Sequence, residues 1–302
     1  MKITLVICTH NRAARLRHTL EHLAAGDIAA EGGELVLVNS ASSDGTSDVI
    51  ADFVRHAPFP VRHCRVDLPG VARARNEGIR HAQGELIAFS DDDCFLDPDY
   101  FGALKSSFDP GAAQYGGGEI YLSERSGQGG GSMRIPNRMT IPPKTLLVAG
   151  AVQGGNLFVL RSVFETVGLF NEDLGIGTPF PCEDIEFAAR CSLAGFAGVL
   201  LPNVRVCHDH ARPDGSEEAR ATLRGYDRGR GAYYAGLIGN GVNGAWKLWS
   251  RSTRRTAPLP RAALERLANE MEAGAQYLRL MASRDQGPNP NATRGASGPA
   301  GD

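Results

Sequence analysis

Ile3-Thr-Leu-Val-Ile-Cys8 is an apolar, β-branched run that breaks at Thr9-His-Asn-Arg12 and gives way to Leu16, Leu20 and Leu23 at helical spacing. This order predicts a buried strand followed by an amphipathic helix, with Asn11 as its N-cap and Gly26 as its stop. The unit recurs. Glu34 to Val38 (ELVLV) reads as a second strand, Asn39 to Gly45 as a turn, and Val49, Ile50, Phe53 and Val54 as one face of a second helix. Val61 to Val66 reads as an edge strand, Ala72 to Ala82 as a helix ended by Gly84, and Glu85 to Phe89 as a fourth strand. Strands alternating with helices predict an α/β fold, a Rossmann-like, mostly parallel sheet flanked by helices, with ligands beyond the carboxyl ends of the strands.

The polar clusters fall at those ends: Thr9 to Arg12, Asn39 to Asp44, and Asp91-Asp92-Asp93. Beyond them, Asp97-Pro98 reads as a helix start with the helix running to Phe108, and Tyr115 to Leu122 as a strand. Glu124 to Lys144, with Gly129-Gly-Gly131, is a long loop of the kind that closes over ligands. Gly154 to Leu160 reads as a strand, Ser162 to Val167 as a short helix, Glu183 to Leu193 as an amphipathic helix, and Gly198 to Cys207 as one or two strands. The last predicted helix spans Ala262 to Met281, with Leu264, Leu267, Met271 and Leu278 marking its apolar face, and Gln286 to Asp302 has the composition of a disordered tail.

Composition narrows the function classes. Lys+Arg 32 against Asp+Glu 34 gives a net charge of −2, so no overall field draws the chain to nucleic acid or to anionic lipid. Glycine is over-represented, with 37 residues in 302 against a usual share of about 7%. The uncharged stretches Thr145 to Leu160 and Gly231 to Trp246 fall short of a membrane span of about 20 apolar residues. The N-terminal run lacks a signal-peptide core, and six scattered Cys without a C-x-x-C pair fit free thiols in a reducing cytosol. These features predict a cytoplasmic protein. Trp246, Lys247, Trp249, Arg251, Arg254 and Arg255 form an aromatic and basic segment that fits either packing of both Trp or peripheral contact with the inner face of a membrane.

Three clusters carry chemistry. Asp91 and Asp93, one residue apart, can share a hard divalent ion, Mn²⁺ or Mg²⁺, whose shell a diphosphate would complete. Glu183-Asp184-Ile-Glu186 puts three carboxylates at a helix start, where mutual repulsion raises a pKa toward that of a general base. His208-Asp209-His210 offers an imidazole to a divalent site, but no second ligand pair has structural-zinc spacing. The chain has neither a G-x-G-x-x-G fingerprint nor a phosphate loop.

The succession CTHNR (Cys8 to Arg12), SSDGT (Ser42 to Thr46), ARNEGI (Ala74 to Ile79), FSDDD (Phe89 to Asp93), GGN (Gly154 to Asn156) and Glu183-Asp184 strongly resembles family 2 of the nucleotide-sugar-dependent glycosyltransferases, which have the GT-A fold. The likeness covers residues 1 to 235. It implies a GT-A domain over 1–212, divided into a nucleotide-binding half (1–115) and a smaller acceptor half (116–212), then a helical extension (213–282) and a tail (283–302).

The resemblance further implies transfer of a sugar from a nucleotide-diphosphate donor, with inversion, to a hydroxyl acceptor that is a glycan, a lipid-linked molecule or a small molecule. Thr9, Asn11, Arg12, Asn39, Asp44, Arg75, Asn76, Asp91, Asp92, Gly155 and Asn156 would then hold the donor. Asp93, with Asp91 and His208 (or His210), would hold the metal, and Asp184, beside Glu183, would be the catalytic base. Asn39 stands where the family usually has Asp, which leaves the donor base open. A nucleotidyltransferase on a similar sheet, or a non-catalytic nucleotide-sugar-binding module, are the rival readings.

Overall fold

The computed structural model describes residues 1–126, 131–253 and 261–285. The first half runs β1 (Ile3–Thr9), α1 (Ala13–Ala24), β2 (Glu34–Ser40), α2 (Thr46–His56), β3 (Val61–Val66), α3 (Val71–His81), β4 (Leu86–Asp91), β5 (Cys94–Leu96) and α4 (Tyr100–Ser107). The second runs β6 (Tyr115–Leu122), β7 (Met139–Ile141), a 3₁₀ turn at Gly154–Asn156, β8 (Leu157–Leu160), α5 (Arg161–Val167), α6 (Glu183–Leu193), β9 (Gly198–His208), α7 (Glu217–Gly239), α8 (Ala245–Thr253) and α9 (Arg261–Asp285). The strands form one sheet in the order β3-β2-β1-β4-β8-β6-β9-β5, with β7 paired to β9. Strands β1 to β4 pair in parallel, and β8 runs antiparallel to both β4 and β6.

Alternate side chains of each strand point to opposite faces, so a strand covered on both sides is apolar throughout. Ile3, Leu5, Ile7, Leu35 and Leu37 pack with Leu16 and Leu20 of α1 and Leu104 of α4. Val6, Val36, Val38, Ile87 and Phe89 pack on the other face with Ala74 of α3, Phe187 of α6 and Tyr234 of α7. One close approach requires a glycine in β6: a Cβ on Gly118 would lie 2.1 Å from the Val204 carbonyl and 2.2 Å from the Asn156 amide nitrogen.

Four sequence expectations are corrected. Asn11 does not cap α1; it lies in the left-handed region at φ 52, and the N-cap is Arg12 with no side-chain cap. The carboxylate of Asp44, from the turn after β2, accepts the Ala13 N–H instead. The helix expected at Asp97-Pro98 begins at Tyr100, because the Tyr100 N–H closes a turn onto the Asp97 carbonyl. The loop expected over Glu124 to Lys144 contains β7, and Met133 bridges to Ile120.

The fourth correction concerns α9, whose expected apolar face is largely exposed: Leu264 is 52%, Met271 58% and Leu278 38% accessible. Its buried face is built from Glu270, Ala273 and Tyr277. A Cβ on Gly231 would lie 1.9 Å from the Glu270 carbonyl, so small residues of α7 let the helices touch, with Tyr277 against Gly236 and the Leu278 side chain against Gly239. The helix continues past the expected boundary at 282 to Asp285, and the expected tail, Gln286 to Asp302, lies outside the described residues. All six cysteines are free.

Candidate active site

The carboxyl ends of β1, β2 and β4, the start of α6 and the end of β9 meet around two adjoining cavities. The larger, about 770 Å³, is lined by Thr9, His10, Arg12, Ser40, Gly70 and the acidic triplet, and is closed by Arg212 and Arg224 near α7. The smaller, about 280 Å³, is lined by Arg75, Gly154, Gly155, Glu183, Asp184 and Arg230. Asp91, His208 and Tyr226 line both.

The three aspartates have separate partners. Asp91 is the most open, with its side chain 40% accessible and 3.2 Å from Arg75 Nη2. Asp92 turns inward and accepts the Thr9 hydroxyl at 2.6 Å and Arg12 Nη1 at 2.8 Å. Burial pushes its carboxyl above the usual range, against the pull of Arg12 and Thr9. Asp93 accepts Arg12 Nη1 at 3.0 Å and lies 3.4 Å from His208 Nε2. Burial would raise its carboxyl, but the His208 hydrogen bond and charge, with Arg12, hold it well below the usual range. Burial works against His208 being charged, and the adjacent Asp93 outweighs it, so the imidazole titrates above its ordinary value.

Asp93, Cys94 and His208 each offer a ligand atom within 4.8 Å of the others. Asp91 is not part of that group, and its carboxylate lies 3.2 Å from Arg75 Nη2. Burial keeps the Cys94 thiol protonated. His208 Nδ1 donates to the Gly131 carbonyl at 3.0 Å, which turns Nε2 toward Asp93. One carboxylate oxygen and one oriented imidazole nitrogen fit a hard or borderline divalent ion. His210 does not join them; its Nδ1 accepts the Arg212 N–H at 3.0 Å.

At the other end of the smaller cavity, Arg75 is buried between Phe89 and Phe170, with its guanidinium 6.0 and 5.8 Å from their ring centres. Its Nη1 donates to Glu183 at 2.6 Å. A Cβ on Gly154 would lie 2.4 Å from Arg75 Nη2, so only glycine leaves room there. The Gly154 N–H donates at 2.7 Å to Asp184, whose second oxygen accepts the Ile185 N–H. Burial pushes the Glu183 carboxyl up, with repulsion from Asp184 adding and Arg75 opposing. Burial also raises Asp184, against Arg75 and the two backbone donors.

Several expected donor contacts spend their polar atoms inside the protein. Asn39 accepts the Ser42 N–H and donates to Ser47. Asn11 accepts the Ser43 N–H, bracing the turn after β1 against the turn after β2. Asn76 exchanges two hydrogen bonds with the Phe170 backbone, and Asn156 ties Tyr100 to the Glu119 and Val204 carbonyls. Gly155 lines the smaller cavity, and its carbonyl accepts the Ser90 hydroxyl. Sequence reading did not single out Cys94, while Ser40 lies inside the Asn39 to Asp44 cluster and Arg230 inside Gly229-Arg-Gly231, a part of the family resemblance. Arg230 stands four residues after Tyr226 and therefore on the same face of α7.

Solved structures of glycosyltransferases share this fold. The chain is similar to the mannosyltransferase PcManGT from Pyrobaculum calidifontis in complex with GDP-Man and Mn²⁺, with a TM-score of 0.60 and 19% identity over 95% of this chain and 76% of that one. It is also similar to residues 1–349 of Staphylococcus aureus TarS in complex with UDP-GlcNAc, with a TM-score of 0.56 and 14% identity over 95% of this chain and 92% of that one. Residues 4–168, more than half of the chain, match glycosyl transferase family 2, and the chain belongs to that family. It is a glycosyltransferase with a GT-A fold. The glycosyltransferase AglE of Haloferax volcanii is 24% identical over 214 residues, 70% of this chain and 68% of AglE. Further curated glycosyltransferases match over 31% to 39% of this chain, which spans only 17% to 38% of their lengths.

The aromatic and basic segment divides: Trp249 is buried and donates to Glu270 at 2.8 Å, while Trp246 is 64% accessible. Arg254 and Arg255 lie outside the described residues. Among the described residues no helix is long and apolar enough to cross a membrane.

Proposed function

We propose that the chain moves a sugar from a nucleotide-diphosphate donor to a hydroxyl acceptor by a single inverting displacement, with Asp184 as general base. The observation that carries this reading is the Gly154 N–H bond to Asp184, which fixes a carboxyl of raised pKa in a cavity that also contains Asp91 and His208. The donors named with the structural neighbours, GDP-Man and UDP-GlcNAc, support a nucleotide-diphosphate sugar without choosing the base.

Asp184 accepts the proton of the acceptor hydroxyl as its oxygen attacks the anomeric carbon. The bond from that carbon to the diphosphate oxygen breaks on the opposite face, and its electron pair leaves with the nucleoside diphosphate. Arg12 places positive charge beside the larger cavity, where the diphosphate would lie. A divalent cation held by Asp93 and His208, with Asp91 nearby, would supply further neutralisation of that leaving group. Glu183 and Arg75 act on Asp184 through charge and do not need to touch the acceptor.

Asp184→Asn tests this. Transfer is lost while calorimetric donor binding in Mn²⁺ stays within a few-fold of the parent; near-normal turnover overturns the assignment. Donor binding without transfer or hydrolysis by the parent, in Mn²⁺ or Mg²⁺, would support a binding module instead.

A further inference from the structure

Helix α9 carries a second apolar stripe beside the face that packs on α7; Leu278 borders both, since its side chain also lies against Gly239. Leu264, Ala268, Met271, Ala275, Leu278 and Ala282 alternate at spacings of four and three, the repeat of a coiled-coil seam. All six are exposed. The stripe is about 27 Å long at 1.5 Å per residue.

We propose that this stripe joins two copies of the chain through an antiparallel, two-fold pairing of α9 with α9. In that register Leu264 meets the partner's Ala282, Met271 the partner's Ala275, and Leu278 the partner's Ala268. Every layer sets one large side chain against one small one, whereas a parallel pairing would stack alanine on alanine and leave gaps. The charges agree. Glu265 and Arg279 flank the same edge of the stripe, and the antiparallel two-fold brings Glu265 of each copy beside the partner's Arg279, twice. Glu272 falls near the axis and faces the partner's Glu272, the one like-charged pair at this edge.

The remainder of the chain offers no better cover. Residues 254–260 and 286–302 contain one large apolar side chain between them, Leu259. A membrane fits less well, since interfacial helices flank their apolar face with Lys and Arg, and here Glu265 and Glu272 stand at that edge with Arg279.

The full chain is tested by sedimentation equilibrium over the micromolar range, with circular-dichroism melts confirming that each variant stays folded. The parent is a dimer, and Met271→Glu weakens it at least about thirtyfold. Glu265→Arg and Arg279→Glu each weaken it, the double exchange restores it, and Glu272→Gln tightens it. A monomeric parent overturns the proposal, and if that monomer sediments with liposomes the stripe is a membrane face. A dimer indifferent to Met271→Glu, or a double exchange no better than the single changes, overturns the pairing.

Discussion

Arg75 and Glu183, 108 residues apart in sequence, form a 2.6 Å ion pair in the lining of the smaller cavity, with side chains only 4% and 8% accessible. The same guanidinium reaches Asp91, so one buried cation connects the end of β4 to the start of α6. Removing a buried charge strands its partner. Arg75→Met is expected to cost about 3–5 kcal/mol in urea unfolding and to abolish transfer; a loss below about 1 kcal/mol would count against this role.

The raised carboxyls of α6 set the acid limb of activity. A base works only when deprotonated, so kcat/KM falls as pH drops through a value above the ordinary carboxylate range of about 4. Glu183→Gln removes the repulsion within the pair and leaves Arg75 and the backbone donors, opposed by burial and Asp91, to act on Asp184. The acid limb should then move to lower pH, and a limb that stays in place or rises would contradict the coupling.

Asp227 makes a prediction about stability. Burial pushes its carboxyl up to about 6, with Glu270 adding and Arg230 opposing. Since the folded-state value exceeds the unfolded one of about 3.9, the folded protein binds the extra proton between them. Its contribution is fully present below about pH 4 and is lost as pH rises through about 6. Asp227→Asn should flatten the thermal-melt profile over that window and raise Tm at pH 8 relative to the parent.

Gly231 allows α7 and α9 to touch, and α7 delivers Tyr226 and Arg230 to the site. Gly231→Ala forces a methyl into the Glu270 carbonyl. We expect about 1–3 kcal/mol of destabilisation and a higher KM for acceptor, measured by chemical unfolding and initial rates. An unchanged variant would mean that the helices separate freely.

His208→Ala should raise the Mn²⁺ concentration needed for donor binding by at least about tenfold, read by calorimetric titration. The same change at His210 should leave that requirement near the parent value. Equal effects would dissolve the distinction between the two histidines.

The strands and the acidic clusters were legible because they are local. A run such as Ile3 to Cys8 has only to be apolar on both sides to be buried, and Glu183 to Leu193 has its helical period and acidic first turn within eleven residues. The amides of Asn76 and Asn156 clamp the Phe170 backbone and the β6 and β9 carbonyls, partners that no spacing reveals.

The sequence by itself determined the βα order, the carboxylates at the strand ends and the family. Only the tertiary structure decided which cation neutralises which carboxylate, which histidine faces Asp93, and which face of α9 is covered. Periodicity records that a stripe is apolar, but burial depends on the surface that arrives to meet it. For α9 that surface is the glycine-containing face of α7, which admits Ala273 and Tyr277, covers part of Leu278 and leaves Leu264 and Met271 outside.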